Sequence, residues 1–264
     1  MNRAGQQSIA DIPRNIESKA LGITMGMPFF KAKTIIEQHG VTWFSSNYTL
    51  YGDLSRRVFD TIDRFVPALE HYSIDEAFVH FDPGHQERDA HEIKQTVKQW
   101  TGIPVSVGIG PTKVLAKIAS TIAKRHPEYG GVVDLSGADA DRYLQDFDVG
   151  EVWGIGPRYE QFLKSEEETE DVQPDLWEAV GLPRLCRKQR IETALELKQC
   201  SDTWVRKHLT IKGLRLVWEL RGISCLPLDY VELKVNARVA GREVFCEERR
   251  IQLVSATLNL VSKG

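Results

Sequence analysis

Long apolar runs are missing from this 264-residue chain. No stretch reaches 18 consecutive apolar residues, and residues 1–20 contain no apolar run at all. The first absence argues against a membrane-spanning helix, the second against a secretory signal. No C-x-x-C pair occurs. The four cysteines, Cys186, Cys200, Cys225 and Cys246, lie 14, 25 and 21 residues apart, which suits neither a zinc site nor a disulfide framework. Reduced thiols in a cytoplasmic protein are the simplest reading. No internal repeat, H-E-x-x-H or G-x-S-x-G is found, so His71, His80, His85 and His91 lack metal spacing and hydrolase chemistry has no specific support. The remaining composition, 42% hydrophobic and 27% charged, excludes a disordered or collagen-like chain. The length fits one or two domains.

The net charge of −3 speaks weakly against a nucleic-acid partner. The charge is unevenly distributed, however. Residues 166–171 read EEETED, whereas residues 184–222 hold ten Lys or Arg against four acids, a local excess of +6. Binding to phosphate follows the local field rather than the whole-chain sum.

Residues 14–22 predict a short helix closed by Gly22, and residues 28–38 a second helix started by Pro28. Residues 41–46 read as a short β-type run. Leu54, Val58, Ile62 and Phe65 recur at helical spacing behind a cap at Ser46 or Asn47. Residues 68–81 predict one strand, or two meeting near an acidic pair. A helix over 89–100, a strand over 104–109, a helix over 112–124 and a strand over 131–135 follow. Residues 47–135 therefore predict an α+β layer, with helices on one face of a mainly antiparallel sheet. From 138 to 222 the patterns are helical, and a boundary falls near 137. Residues 226–264 return to β-like alternation.

Three constellations could carry chemistry. Asp75 and Glu76 are adjacent carboxylates in an apolar strand. Neighbours in a regular strand point to opposite faces, so both reach one site only at a strand end or bend. Their repulsion is offset by a divalent cation, and Mg²⁺ suits one or two carboxylates plus phosphate oxygens. A solvated hairpin tip fits the pair equally. In the second constellation, at 100° per residue, Lys113, Lys117 and Lys124 fall within about 40° of one another, opposite Val114, Leu115, Ile118 and Ile122. The apolar face would pack on the sheet and the lysines would project toward a triphosphate or a DNA backbone. An ordinary wet helix face has the same pattern. The third is the Gly154-Ile155-Gly156-Pro157-Arg158 turn, which exposes backbone N–H groups at a helix start and suits a phosphate without base preference. A plain helix–helix connection is its alternative. Arg14 and Lys19 on the first helix are weaker candidates for an anionic ligand.

Taken together, several segments resemble the Y-family, translesion DNA polymerases, in particular their UmuC-type branch. They are NIESKALGITMGMPFFK (15–31), FSSNYTLYGDLSRRV (44–58), YSIDEAF (72–78), SVGIGPTKVLAKIASTIAK (106–124), GGVVDLS (130–136), VWGIGPR (152–158) and LRGISCLPL (220–228). They occur in the family's order. The resemblance implies a right-hand polymerase fragment of the α+β class. Residues 1–46 would be partial fingers, 47–136 palm, and 137–228 a helical thumb with a helix-hairpin-helix motif and an insertion near 165–190. Residues 229–264 would start an incomplete little finger.

The resemblance further implies that Asp75 and Glu76 are catalytic and bind Mg²⁺. It places Lys19 and Lys124 on the nucleotide triphosphate, and it is consistent with Lys113, Lys117, Gly154, Gly156 and Arg158 on DNA. Ile16 stands where many members carry Tyr. The implied activity is error-prone nucleotidyl transfer in DNA repair and the SOS response, on damaged primer-template with dNTPs. The implied partners are a UmuD-type subunit, RecA and the sliding clamp, although the clamp-binding segment itself has no counterpart here. The family's first palm strand, a D-x-N-A-F-Y-type segment with a further metal-binding Asp, also finds no match in residues 1–13, where Asp11 is the one acid. This predicts an impaired enzyme with an exposed sheet edge; the alternative is a non-catalytic remnant that binds DNA or partners.

Overall fold

The computed structural model describes residues 16–24, 27–43, 47–81, 84–165, 190–228 and 251–256, the last as backbone. Arg14, the acidic run 166–171, most of the expected insertion, Cys186 and Cys246 lie outside them.

The chain opens with helices α1 (Ile16–Ala20), α2 (Phe29–His39) and α3 (Tyr48–Ile62). The Asn47 side chain caps α3 by accepting the Leu50 N–H at 3.0 Å. No strand forms over residues 41–43, and 44–46 lie outside the described set, so the expected β-type run is not seen. The region 68–81 folds as two strands, β1 (Ala68–His71) and β2 (Glu76–His80), joined by a tight bend. Helix α4 (Gln86–Thr101), strand β3 (Val105–Gly110), helix α5 (Lys113–Arg125) and strand β4 (Val132–Asp134) complete this part. Among the described residues, four α-helices follow: α6 (Ala140–Gln145), α7 (Pro157–Lys164), α8 (Ala194–Gln199) and α9 (Asp202–Leu220).

The sheet order is β1-β2-β5-β3-β4, where β5 is Ile251–Ala256. Strand β5 runs antiparallel to both neighbours, with Ser255 in register with Glu76 on one side and Ser106 on the other. The last pair, β3 with β4, is parallel. Residues 251–256, expected in an incomplete little finger, thus lie in the middle of this sheet, between β2 and β3.

Helices cover both faces of the sheet rather than one. Strand alternation sends Val105, Val107 and Ile109 of β3, with Ala77 and Val79 of β2, toward Val58, Phe59 and Ile62 of α3 and Ala90, Ile93 and Val97 of α4. The intervening β3 positions, Gly108 and Gly110, face α5. A Cβ at Gly108 would lie 2.2 Å from the Ala116 carbonyl oxygen and the Ser120 nitrogen, and one at Gly110 would lie 2.8 Å from the Ala116 nitrogen. Backbone therefore packs directly on backbone.

The orientation of α5 also differs from expectation. Its small residues Ala116 and Ser120 face the sheet, while Val114, Leu115, Ile118 and Ile122 pack among the following helices with Leu144, Val149, Leu197 and Leu220. The two glycines leave room for small side chains alone, so the aliphatic face turns to the larger apolar surface.

The junction between α9 and α5 is polar. Glu219, fully buried, accepts N–H bonds from Val114 (3.3 Å), Cys225 (2.5 Å) and Leu226 (3.0 Å), and its own carbonyl accepts the Thr112 hydroxyl (2.8 Å). Two outcomes follow. Glu219→Ala orphans three donors, one buried and two part-buried, and is expected to lower stability by about 3 kcal/mol in denaturant unfolding. A chain ending at residue 250 leaves β2 and β3 without the strand between them; it should lose its cooperative thermal transition, and an unchanged melting curve would refute the central role of β5.

Candidate active site at the acidic hairpin

The bend between β1 and β2 is built by its own hydrogen bonds. The backbone N–H groups of Tyr72 and Ser73 both donate to the Glu76 carbonyl, at 3.1 and 3.0 Å. The Ser73 hydroxyl donates to Asp75 Oδ1 at 2.7 Å and accepts the Asp75 N–H at 3.3 Å. Asp75 therefore sits in the bend, exposed, and Glu76 opens β2, half-buried. The two carboxylates lie at a strand end, the position at which neighbouring residues can serve one site.

Helix α5 brings cations to this bend. Because Ala116 and Ser120 face the sheet, the lysine side of the helix, next to them around the helix axis, lies along the β1–β2 hairpin. Lys117 Nζ is 2.9 Å from Glu76 Oε2. Lys124, one helical stretch further, feels both Glu76 and Asp75 and is also repelled by Lys117 and Lys19. Desolvation is the largest influence on it and holds its pKa below the usual lysine value, although the residue is exposed at its tip. Lys19, exposed on α1, is thus near enough to act on Lys124. Asp75, Glu76 and Lys117 meet at the bend, Lys124 lies within electrostatic reach of both carboxylates, and Lys19 lies within reach of Lys124.

Lys113 does not join them. Its ammonium is buried, 2.7 Å from Glu70 Oε2 and 2.9 Å from the Pro227 carbonyl oxygen, and lies 4.9 Å from the centre of the Phe78 ring. The cause is the same rotation of α5, which points the first lysine at β1 rather than at solvent. A buried ammonium committed to these partners is not placed for a DNA phosphate.

The Gly154–Arg158 turn lies beside the hairpin through Trp153. The Trp153 indole N–H donates to the Tyr72 hydroxyl at 3.0 Å, and Lys117 Nζ stands 4.6 Å from the Tyr72 ring centre and 5.1 Å from that of Trp153. Gly154 adopts φ 100°, where L side chains are strained, and its missing Cβ would meet Leu216 of α9 at 2.8 Å. Gly156 precedes α7 with open space around it and no side chain capping the helix start; Arg158 is exposed. A single 3₁₀ turn, Val149–Glu151, precedes this segment. Arg206, Lys207, Lys212 and Arg215 are exposed on α9.

Tyr72 and Trp153 were not among the expected site residues. They are 81 positions apart, and no periodicity in the sequence connects them. The available signal was an aromatic residue next to each motif, before S-I-D-E and before G-I-G.

Asp75 and Glu76 offer hard oxygen donors of the type Mg²⁺ prefers. No group of three or more His, Cys, Asp or Glu side chains able to hold a metal occurs among the described residues. Two carboxylates suffice where phosphate oxygens of a substrate complete the shell, so the donor set fits.

Comparison with known proteins agrees with this geometry. Residues 5–121 match the impB/mucB/samB family. The chain is 37% identical over 242 residues to protein ImpB of Salmonella typhimurium, covering 89% of this chain and 50% of that protein. It is 41% identical over 219 residues to protein UmuC of Salmonella typhimurium, covering 81% and 46%. The chain thus spans about half the length of these curated relatives. Its fold is similar to that of Dbh DNA polymerase in an insertion ternary complex, with a TM-score of 0.59, 23% identity, and 81% of this chain against 56% of that one. Residues 5–121, which hold the acidic hairpin and most of the lysine helix, thus carry a domain that matches the impB/mucB/samB family, and the chain is similar to ImpB and UmuC over about half of their length.

Proposed function

We propose that this chain belongs to a UmuC-like error-prone polymerase and carries out template-directed nucleotidyl transfer on damaged DNA. The observation that carries the reading is the Lys117–Glu76 ion pair beside Asp75 at the bend, with Lys124 within electrostatic reach of both carboxylates. Carboxylates opposite cations provide both halves of a triphosphate site: donors for a metal–phosphate complex and positive charge for the phosphates themselves.

Asp75 and Glu76 would hold Mg²⁺. When bound, the metal supplies Lewis acidity to the primer hydroxyl and to the phosphates. Lys124 and Lys19 offset the charge that develops on the departing pyrophosphate. Desolvation lowers the Lys124 pKa, so it would give up a proton more readily than an ordinary lysine and could serve as the acid for that leaving group. The backbone at Gly154 and Gly156, with Arg158 and the exposed basic residues of α9, would grip the DNA backbone in the manner of a helix-hairpin-helix turn. The partner set implied by the resemblance, a UmuD-type subunit, RecA and the clamp, and a cytoplasmic location follow from the same reading. No helix among the described residues is long and apolar enough to cross a membrane.

A second reading, a DNA-binding remnant without catalysis, is favoured by the Lys117–Glu76 ion pair, which engages one of the two carboxylates. Primer extension by the full chain with Mg²⁺ and dNTPs separates the two. Catalysis predicts slow extension that Asp75→Asn and Glu76→Gln each abolish while DNA affinity is retained. Extension insensitive to both substitutions, or none by the unmodified chain, refutes it. DNA binding itself should weaken linearly on a log–log plot against salt. Arg158→Ala should lower that slope by about 0.9, the value for one lost phosphate contact.

A further inference from the structure

Lys117 is held by more than its ion pair. Its ammonium contacts the Glu76 carboxylate at 2.9 Å and lies against two aromatic faces, Tyr72 at 4.6 Å and Trp153 at 5.1 Å. The two rings meet edge to face, with centres 5.5 Å apart and planes at 88°, and the Trp153 indole N–H ties them together through the Tyr72 hydroxyl. Both rings rest on Phe78, which is fully buried, at 5.4 and 5.9 Å. The Lys117 and Glu76 side chains retain 17% and 20% of their exposure, so water screens the pair far less than it would a surface pair.

Each part of this cage comes from a different place in the chain. Tyr72 and Glu76 belong to the hairpin, Lys117 to α5, and Trp153 to the segment that leads into the Gly154 turn. Aromatic faces favour a cation, most strongly when it is desolvated. The cage therefore stabilises the ammonium at the one carboxylate oxygen it touches. A divalent cation at the acidic pair needs the same oxygens.

We propose that Lys117 is the resident counter-ion of Glu76, competing with divalent metal for that carboxylate, and that Trp153 sets the strength of the competition from the thumb side. This rests on the metal-binding reading of Asp75 and Glu76. Tyr72 and Trp153 are positioning residues that act through Lys117. Metal loading and the position of the thumb turn are coupled: a metal that displaces the ammonium from Glu76 loosens the cage wall that Trp153 supplies. By linkage, any movement of the turn changes metal affinity by the same factor.

The test is a titration of the full chain with Mn²⁺, reading free Mn²⁺ by electron paramagnetic resonance, with circular dichroism confirming that each variant is folded. Glu76→Gln should weaken binding at least tenfold. Lys117→Met, which removes the competing charge and keeps the aliphatic stem, should tighten it threefold or more; Lys117→Gln replaces it if the methionine variant does not fold. Lys117→Arg should return affinity close to that of the unmodified chain. Trp153→Leu should give an intermediate gain, and combined with Lys117→Met should add nothing further. If Glu76→Gln has no effect, the metal site and the competition fall together. If Glu76→Gln weakens binding but Lys117→Met leaves it unchanged or weaker, the competition alone is refuted. If Lys117→Met tightens binding and Trp153→Leu does not, the thumb coupling is refuted.

Discussion

The close approach of α5 to β3 governs everything around the site. Gly108 and Gly110 carry no Cβ, and a methyl group at Gly108 would sit 2.2 Å from the α5 backbone. That contact fixes the height of the helix above the sheet and its rotation about its own axis. With Ala116 and Ser120 turned inward, the lysines cannot point away from the sheet. They fall along the hairpin edge, where Glu70 and Glu76 stand. The aliphatic side then meets the apolar surface of α6, α8 and α9. One steric constraint thus sets the site's electrostatics and joins the sheet to the helices that follow it.

Much of the architecture was legible in the sequence, because periodicity and capping are local. The two strands around the acidic pair, the Asn47 cap of α3, the helix of 113–125 and the strand leading into it are written within windows of a dozen residues. The placement of Asp75 and Glu76 at a bend also followed, since no regular strand offers both side chains to one side. Legibility ended where long-range packing decided. The lysine stripe is real, but periodicity gives a helix two faces without saying which neighbour each will meet. Glycines at alternate β3 positions could have hinted at a helix resting there, and with that hint Lys113 would have been placed at β1. The position of β5 was illegible for another reason. Strand order is a property of the whole sheet, and Ile251–Ala256 pairs with residues about 150 to 175 positions away.

The two lysine–glutamate pairs show how similar contacts do different work. Lys113 with Glu70 is closed over by the Pro227 carbonyl and the Phe78 ring, and both side chains keep less than a tenth of their exposure. Such a pair is costly to desolvate and still costlier to break, so it specifies which residues meet more than it adds stability. Lys117 with Glu76 lies one helical turn further along, at the bend that joins β1 to β2. Its carboxylate keeps a solvent-facing side, and Asp75 beside it is exposed. A structural ion pair and an exchangeable one are thus produced by the same helix, separated by a single turn and by the depth of the sheet below them.

The same comparison bears on how a site of two carboxylates holds together before any ligand arrives. Two adjacent anions at a bend repel each other, and Ser73 alone offsets little of this by donating its hydroxyl to Asp75. The larger compensation comes from α5, with Lys117 in contact and Lys124 at longer range. On the proposed function, those ammonium groups would be counter-ions of the carboxylates before a ligand binds and partners of its phosphates afterwards. Lys117 would then have to leave Glu76 to meet a phosphate, so nucleotide and metal would draw on the same charges. A cleft of such mixed charge would resist either alone, since metal without phosphate would meet the lysines and phosphate without metal the carboxylates, and it would accept the two together as a metal–triphosphate complex.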